Sequence, residues 1–569
     1  MCRSAYYLDI IVSVTGIISM LLSMLRRFQQ ASLSETIAEF HNVSTRAVAT
    51  NDERYTMKFR KMTLHTEKFH SYEDSRIVSR NTLEKLTWYI ENYKYLPGVN
   101  VIPSPTYSKM FLSTNKKEFK VGELIRVKIH LFNNMNEPLR SGGDILRIWM
   151  TDRYSNSNSS GYIIDNGDGT YTGVVRALFP GKPVIKASIA LSKYHIGIAY
   201  DYMEREGIWY YMTAKFEGRN GSSVTTHCST ASKFSFGNRT CDFTKINHGM
   251  SWYCGKPEKY GLTCDDWTTY SAGKFNYLLK NSSYDDFYRN KKNQYLITSI
   301  KILITGERAT SPTMPCYRRP KEDSWEDHVP TGYFHKDTFY SLQCNSSHLM
   351  RSRQSYLKCL RGRPAHFFGD STSRYWFVYL TEFLKLTFKQ GRWDEIKDKA
   401  WQKYAYAEDK ESNISITWAP HELPMYGSEA SIRNIRSVAS RLDDISADSK
   451  GIVVLHWYLH TARIPPWAYR EHVINAKIAV LNLLRRAPNV SLFIKGPHAI
   501  MYKGNTSPHD FARRFNEQIL YEEFASIRDK ITYLEQWDMT VSSENINVHP
   551  PKAMNAVMVH HLLSHVCSK

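Results

Sequence analysis

Strand-like and helix-like segments alternate through residues 451–565, and this alternation constrains the fold more than any other feature of the chain. Short apolar runs predict strands, and the longer runs between them predict helices. The strands are predicted at 451–455, 491–494 and 531–534, and the helices at 466–486, 509–530 and 552–565. This order predicts a parallel sheet covered by helices, in an α/β domain that we assign to residues 317–569. Side chains that carry chemistry are then expected on loops at the C-terminal ends of the strands.

A further strand-turn-helix pattern lies at residues 366–388, where an apolar run ends in Gly369-Asp370-Ser371 and an amphipathic run follows. The pattern puts Ser371 at the C-terminal edge of a sheet, beside a helix N-terminus. A serine becomes a nucleophile when a base takes its proton and donors stabilise the resulting oxyanion. Gly369 lets the backbone approach closely there, and Asp370 is expected to serve the turn and the helix start. Gly-Asp-Ser alone is more often an ordinary turn than a catalytic site.

Two more motifs lie near the end of the chain. Trp537-Asp538-Met539-Thr540 closes an apolar run, and Val548-His549-Pro550-Pro551 precedes the final predicted helix. Together with Cys359-Leu360-Arg361-Gly362, Gly369-Asp370-Ser371-Thr372, Arg374 and Trp376, they resemble the neurexophilin and PC-esterase domain (NXPE) family. Residues 362–567 resemble the PC-esterase domain, a branch of the Gly-Asp-Ser hydrolases and acyltransferases, and the likeness covers roughly everything after residue 95.

The resemblance implies a site in which Ser371 attacks an acyl carbonyl and His549 takes its proton. The PC-esterase pattern has an aspartate three residues before the histidine, where this chain has Ile546, so Asp538 is our candidate carboxylate and Glu544 the reserve. The resemblance also implies a Gly-x-His element in the oxyanion hole, and the matching residues are Tyr458-Leu459-His460. The expected oxyanion and substrate residues are therefore Gly369, Asp370, Arg374 and His460. No bound cofactor or metal is expected, and a transferase would need an acetyl donor, for which acetyl-CoA is one option.

The N-terminus predicts passage into the secretory pathway. An apolar run from Ile10 to Leu22 is followed by Arg26-Arg27, without an evident cleavage pattern, which slightly favours an uncleaved signal anchor at 1–27 over a cleaved signal peptide. The polar residues 28–98 are assigned to a stem. A Golgi-type single-pass membrane protein and a secreted protein both remain open.

Cysteines and sequons support the same compartment. Eight cysteines follow Cys2, and their even number and spacing predict disulfides rather than a zinc site. Nine Asn-x-Ser/Thr sequons predict a glycoprotein; they lie at Asn42, Asn158, Asn220, Asn238, Asn281, Asn345, Asn413, Asn489 and Asn505. The formal net charge of +20 raises nucleic acid as a partner, but the basic residues are scattered, so polyanionic glycans suit a lumenal chain better.

Residues 99–316 are assigned to a second domain. Period-two alternation at 125–131 and 184–189, with a tight turn at 165–171, predicts short strands in an immunoglobulin-like or filamin-like β-sandwich. Asp165 and Asp168 fit that turn better than a calcium loop. The resemblance implies that this region is neurexophilin-like. It also implies that residues 226–316 form the cysteine-rich continuation of the neurexophilin-like region.

Two functions remain open from the sequence. One is a lumenal enzyme that moves or removes an acyl group, most simply acetyl, on a glycan or glycoprotein hydroxyl, with activity weakened or abolished by the departures at Tyr458 and Ile546. The other is a non-catalytic glycoprotein that binds a cell-surface partner through its neurexophilin-like region.

Overall fold

A computed structural model of the chain describes residues 102–568, except 210, 236, 238, 273–294, 297, 327, 391–401 and 502–508. The fold is mixed and rich in β-structure, and four disulfides cross-link it. The predicted signal anchor (1–27) and stem (28–98) lie outside the described residues, as do the sequons at Asn42, Asn238, Asn281 and Asn505. In the part that is described, no helix combines the length and apolar character that crossing a membrane requires.

The N-terminal sheet is antiparallel along its main path. Its strands run in the order β1-β3-β6-β5-β4-β7-β13. The first seven strands of the chain are β1 (Lys109–Leu112), β2 (Glu118–Lys120), β3 (Leu124–His130), β4 (Ile145–Asp152), β5 (Ser157–Asp165), β6 (Thr170–Arg176) and β7 (Val184–Leu191). Alternate residues of β3 are buried, as its period-two pattern predicts. The immunoglobulin-like or filamin-like identity of this sheet stays a prediction.

The turn between β5 and β6 is held by its own aspartates. Asp165 Oδ1 accepts a hydrogen bond from the Gly167 N–H at 2.8 Å, and Asp168 Oδ1 accepts one from the Thr170 N–H at 2.9 Å. These are the side-chain-to-backbone bonds of aspartate turns. Both aspartates thus serve the turn that the sequence predicts.

The cysteine-rich region forms a second sheet with the order β10-β11-β9-β8-β12-β21. Its elements after β7 are α1 (Lys193–Glu206), β8 (Met212–Glu217), β9 (Ser223–Ser229), β10 (Thr240–Asp242), β11 (Tyr253–Gly255) and β12 (Trp267–Ala272). Disulfides Cys228–Cys254 and Cys241–Cys264 cross-link this region. The strand β21 (Ala430–Ser431), which pairs with β12, comes from the later part of the chain.

The connection to the last domain crosses the predicted boundary at 316/317. It contains β13 (Ile300–Lys301), β14 (Leu303–Thr305), β15 (Gly332–His335) and β16 (Thr338–Ser341). The hairpin β15–β16 joins the N-terminal sheet, since Phe334 pairs with Asn158 of β5. A disulfide links Cys316 to Cys344. Residues on both sides of the predicted boundary therefore belong to one sheet.

The C-terminal sheet has seven strands in the order β18-β19-β20-β17-β22-β23-β24. They are β17 (Ala365–Gly369), β18 (Thr387–Gln390), β19 (Ala405–Asp409), β20 (Ile414–Ala419), β22 (Ile452–His456), β23 (Ser491–Lys495) and β24 (Ile531–Leu534). Five neighbouring strands of this sheet are mutually parallel, in the spatial order β20-β17-β22-β23-β24. Numbered by their order in the chain, these five strands lie in the order 2-1-3-4-5. In such doubly wound sheets ligands bind at the switch point, here between the C-terminal ends of β17 and β22.

Helices alternate with these strands. They are α2 (Arg353–Leu360), α3 (Ser371–Leu384), α4 (Val438–Asp443), α5 (Pro466–Arg486), α6 (His509–Glu523), α7 (Trp537–Ser542) and α8 (Lys552–Ser564). The bounds of α5 and β24 match the prediction. The helix predicted at 509–530 ends at Glu523 and a 3-10 segment, Ala525–Lys530, follows it. A disulfide between Cys359 and Cys567 ties the end of the chain to α2.

Polar contacts join the N-terminal sheet to the C-terminal domain. The Arg147 Nε of β4 donates to Asp510 Oδ1 of α6 at 2.8 Å, and both side chains are buried. Trp149 Nε1 donates to Glu544 at 2.9 Å, and Trp149 packs in one apolar cluster with Tyr458 and Trp537. The N-terminal sheet therefore forms one wall of the C-terminal domain next to the switch point.

Candidate active site

Ser371 lies where the doubly wound topology expects a ligand. It is the first residue of α3 and follows a tight turn formed by Gly369, the last residue of β17, and Asp370. Gly369 is required in that turn, because its φ is +154° and an added Cβ would lie 2.1 Å from the His456 carbonyl oxygen. The missing side chain lets β17 and β22 approach each other beneath Ser371.

Asp370 caps the helix that carries Ser371. Its Oδ1 accepts from the Thr372 N–H at 2.8 Å and from the Thr372 hydroxyl at 2.7 Å. Its Oδ2 accepts from the Leu459 N–H at 2.8 Å, in the loop after β22. This cap explains why α3 begins at Ser371, directly after Asp370. Asp370 thus performs the turn-and-helix role that its sequence position suggests.

The structure brings Ser371 and His549 together across 178 residues of sequence. Ser371 Oγ lies 2.7 Å from His549 Nε2, which is hydrogen-bonding distance. His549 is partly buried, and Ser371 is buried except for 9% of its surface. Burial lowers the pKa of His549; the negative Asp370 opposes that shift and Lys495 reinforces it. At neutral pH the imidazole is therefore unprotonated and able to accept the hydroxyl proton of Ser371.

Hydrogen bonds to residues 498 and 499 hold the loop that carries His549 in place. His498 Nε2 donates to the Val548 carbonyl oxygen at 2.8 Å, and Asn545 Nδ2 donates to the Ala499 carbonyl oxygen at 2.8 Å. The His549 ring also stacks on Tyr375 of α3. These contacts orient the imidazole, whose Nδ1 makes no hydrogen bond within the described residues.

The two carboxylates predicted to orient His549 do not reach it. Asp538 lies in the short helix α7, and its Oδ2 accepts from the Thr331 hydroxyl at 2.9 Å and from the Thr331 N–H. Glu544 accepts from Trp149 and from Lys186 Nζ, at 2.9 Å and 2.6 Å. Both acids thus serve the contact with the preceding sheet and hairpin. Ser371 and His549 form a dyad.

His460 lies beside the dyad, and its tautomer follows from its neighbours. His421 Nδ1 must donate to the Glu422 carbonyl oxygen, 2.6 Å away, so His421 Nε2 accepts from His460 Nδ1, 3.1 Å away. Burial holds the pKa values of both histidines below their usual range, so both are neutral. A neutral His460 then has no proton on Nε2 and cannot donate from that atom to an oxyanion. The structure thus gives His460 the chemistry of an acceptor, whereas the resemblance implied an oxyanion role.

Leu459 and Tyr458 are the other two residues of the expected oxyanion element. The Leu459 N–H is engaged by Asp370. Tyr458 is fully buried, with its ring beside those of His498 and His509. The Ser371 N–H is a candidate donor at this place, because the first N–H groups of a helix have no partner within the helix.

Arg374 is one turn into α3 and only 1% exposed. Its guanidinium lies 5.1 Å from the centre of the Trp418 ring. Burial lowers its pKa to about 10, so it remains charged at neutral pH. Arg374 therefore packs on the buried side of the helix that carries Ser371, and its burial leaves it little access to a substrate.

Sequence reasoning missed three residues beneath the dyad. Thr372, His456 and Lys495 are buried and hydrogen-bonded to one another. A usable signal was a lysine directly after the apolar strand 491–494, because a charge at the C-terminal end of a parallel strand faces the site.

A metal site is not apparent in the ranges that the structure describes. Cys316, Cys344 and His565 approach within 4.8 Å of one another. The two cysteines form a disulfide, so they offer no thiolate to a metal.

The C-terminal part of the chain matches a known protein family. Residues 339–567 match the family described as NXPE family member 4-like, C-terminal domain. The matched range contains α2 to α8 and the whole C-terminal sheet, with Ser371 and His549.

Proposed function

Because the chain belongs to the NXPE family through residues 339–567, we propose that it is a lumenal enzyme that transfers or removes an acyl group on a glycan hydroxyl. The observation that carries the proposal is the 2.7 Å contact between Ser371 Oγ and His549 Nε2. A buried serine at a helix N-terminus next to an unprotonated imidazole is the arrangement of a serine nucleophile and its base.

The reaction has two steps. Ser371 Oγ attacks the acyl carbonyl carbon while His549 Nε2 takes the hydroxyl proton, and the carbonyl oxygen becomes an oxyanion near the Ser371 N–H. Collapse breaks the bond to the leaving group, which receives the proton from His549, and leaves an acyl group on Ser371. In the second step a hydroxyl attacks this ester, His549 takes its proton, and Ser371 leaves with that proton restored. A sugar hydroxyl in the second step makes the enzyme a transferase, and water makes it an esterase.

The compartment supports a glycan as the acceptor. Four disulfides indicate an oxidising, secretory-type environment. Glycans carry the abundant hydroxyl groups there. The acetyl donor would be a substrate rather than a resident cofactor.

A test that needs no known substrate uses a fluorophosphonate probe. The activated Ser371 oxygen would displace fluoride from phosphorus and become covalently labelled, and the proton would pass to His549. We expect labelling of the full-length protein, and its loss by at least about hundredfold in Ser371→Ala and His549→Ala. Ser446→Ala, at an exposed serine of the same domain, is the matched control and should label normally. The same variants expressed in cells should show whether glycan O-acetylation depends on Ser371.

One observation favours the alternative function, a non-catalytic glycoprotein that binds a cell-surface partner. No carboxylate orients His549 among the described residues, and this weakens the case for fast catalysis. Absence of labelling in a folded wild-type protein would favour this alternative. This alternative is tested by partner capture with the full chain carrying Ser371→Ala. The full chain is used because a fragment ending at residue 316 would lose the hairpin that pairs with β5.

A further inference from the structure

A buried lysine lies beneath the dyad, and the mechanism above does not use it. Lys495 ends β23 and is 2% exposed. Its Nζ lies 3.1 Å from Thr372 Oγ1, 3.0 Å from His456 Nε2 and 5.3 Å from the centre of the Trp376 ring. A lysine is almost never buried without partners, so these contacts require an explanation.

The directions of these hydrogen bonds follow from the acceptors. His456 Nδ1 lies 2.7 Å from the Lys495 carbonyl oxygen and must donate to it, so His456 Nε2 has no proton and accepts. Thr372 has one hydroxyl proton, which can go to the Asp370 carboxylate 2.7 Å away or to His456 Nε2 2.8 Å away. The ammonium of Lys495 can only donate. Lys495 therefore donates to both His456 Nε2 and Thr372 Oγ1.

The network joins the three elements around Ser371. Thr372 is in α3 beside the nucleophile, His456 ends β22, and Lys495 ends β23. Asp370 extends the connection to the loop after β22 through the Leu459 N–H. The buried ammonium thus reaches its counter-charge, Asp370, through the Thr372 hydroxyl.

We propose that Lys495 is a positioning residue for the dyad, whose buried positive charge balances Asp370 and sets the lower pH limit at which His549 can act as a base. The proposal rests on the acyl-transfer function proposed above. It assigns to β23 an electrostatic effect on the base that is opposite in sign to that of a triad carboxylate, which stabilises the imidazolium.

The charges around His549 give the sign of the effect. Asp370 raises its pKa and Lys495 lowers it, while neutral His460 and the stacked Tyr375 ring are its other titratable neighbours. Around Lys495 itself lie Asp370, His456 and His498. Burial lowers the pKa of Lys495 to about 7, and the negative Asp370 opposes that shift, so Lys495 gains its full positive charge as the pH falls below that value. Removing that charge should raise the pKa of His549.

The test is the pH dependence of fluorophosphonate labelling in the full-length protein. In Lys495→Met and Lys495→Gln we expect the acidic midpoint of the labelling rate to move up by about one pH unit. Lys495→Arg, which retains a cation, should restore much of the wild-type midpoint. Lys450→Met, which removes an exposed lysine from the same domain, is the control and should leave the midpoint unchanged.

The outcomes separate this inference from the proposed function. A folded wild-type protein that does not label would overturn the acyl-transfer proposal itself. Normal labelling of the wild type, with an unshifted midpoint in either neutral variant, would overturn only the role of Lys495. If neither neutral variant is secreted while Lys495→Arg is, Lys495 serves stability alone, which also contradicts the inference.

Discussion

The imidazole of His549 lies flat on the phenol ring of Tyr375, with ring centroids 4.6 Å apart and ring planes 12° apart. In a serine triad a carboxylate fixes the imidazole through its second nitrogen. Here the described residues give that nitrogen no hydrogen bond, and the stacked ring limits how the imidazole can rotate. In the proposed mechanism the orientation of the base therefore depends on Tyr375.

Replacing Tyr375 should separate ring stacking from hydroxyl chemistry. Tyr375→Ala should slow fluorophosphonate labelling by about tenfold to hundredfold, because small misplacements of a catalytic group cost that much. Tyr375→Phe keeps the ring and should stay within about threefold of the wild type. Equal labelling rates for the wild type and Tyr375→Ala would show that another contact holds the ring.

Asp538→Asn should destabilise the protein without removing its chemistry. The buried carboxylate accepts two hydrogen bonds from Thr331 at Oδ2 and one from the Met539 N–H at Oδ1, and the asparagine NH2 group that replaces one oxygen cannot accept, so this loss should cost about 2 kcal/mol in the free energy of unfolding. Thermal melting should show this loss, and Thr331→Val should reproduce part of it. The labelling rate of the folded variant should change little, whereas a triad aspartate would lower it about ten-thousandfold. A loss of that size with normal melting would restore Asp538 to the site.

Gly369→Ala should be far more damaging than a second glycine substitution nearby. An added Cβ at Gly369 would lie 2.1 Å from a backbone oxygen, so β17 and β22 would have to separate, at a cost of several kcal/mol. At Gly362, where φ is +68°, the nearest atom to a new Cβ is 3.6 Å away, and only the left-handed conformation opposes alanine, by about 1 kcal/mol. Melting temperatures and secreted yields of the two variants measure the difference. Equal losses would mean that the two strands are not closely packed there.

The protein should lose stability on acidification. Burial lowers the pKa values of His456, His509 and His560 to about 3, below the ordinary 6.5. Below about pH 6.5 the unfolded chain therefore binds more protons than the folded one, and each such histidine costs about 2 kcal/mol at pH 5. Asp144 and Glu204 act in the opposite direction, since burial raises their pKa values to about 6 and about 7.

The histidines outnumber these acids, so the net effect is destabilising. Melting temperatures at pH 7.5, 6 and 5 should fall in that order. A constant or rising melting temperature over this interval would contradict the burial of these imidazoles.

Local patterns predicted elements whose boundaries have strong chemical signals. The helix α5 begins at Pro466 and ends at Arg486 as expected, because proline favours a first helical turn and the apolar periodicity ends there. The strands β22 and β23 lie within one residue of their predicted positions, because their apolar runs are bounded by polar or glycine residues. Strand order then brings Ser371 and His549 to one edge of the sheet.

Contacts between distant segments had no such local signal. Asp538 was expected at a strand end facing His549, yet it lies in α7 and bonds to Thr331, more than 200 residues earlier. That partner comes from a hairpin that joins the N-terminal sheet, which alternation patterns cannot reveal. Likewise, the bond of Lys495 to Thr372 depends on how β23 and α3 meet in space.

The contacts of Arg147 with Asp510 and of Trp149 with Glu544 have a consequence for chimeric proteins. An exchange of N-terminal sheets between relatives would pair each of these side chains with whatever the other parent carries. A buried aspartate without its arginine is costly, so such hybrids should be retained and degraded in the cell unless both partners are transferred together. The two halves of the chain are therefore expected to be inherited as one cooperative unit.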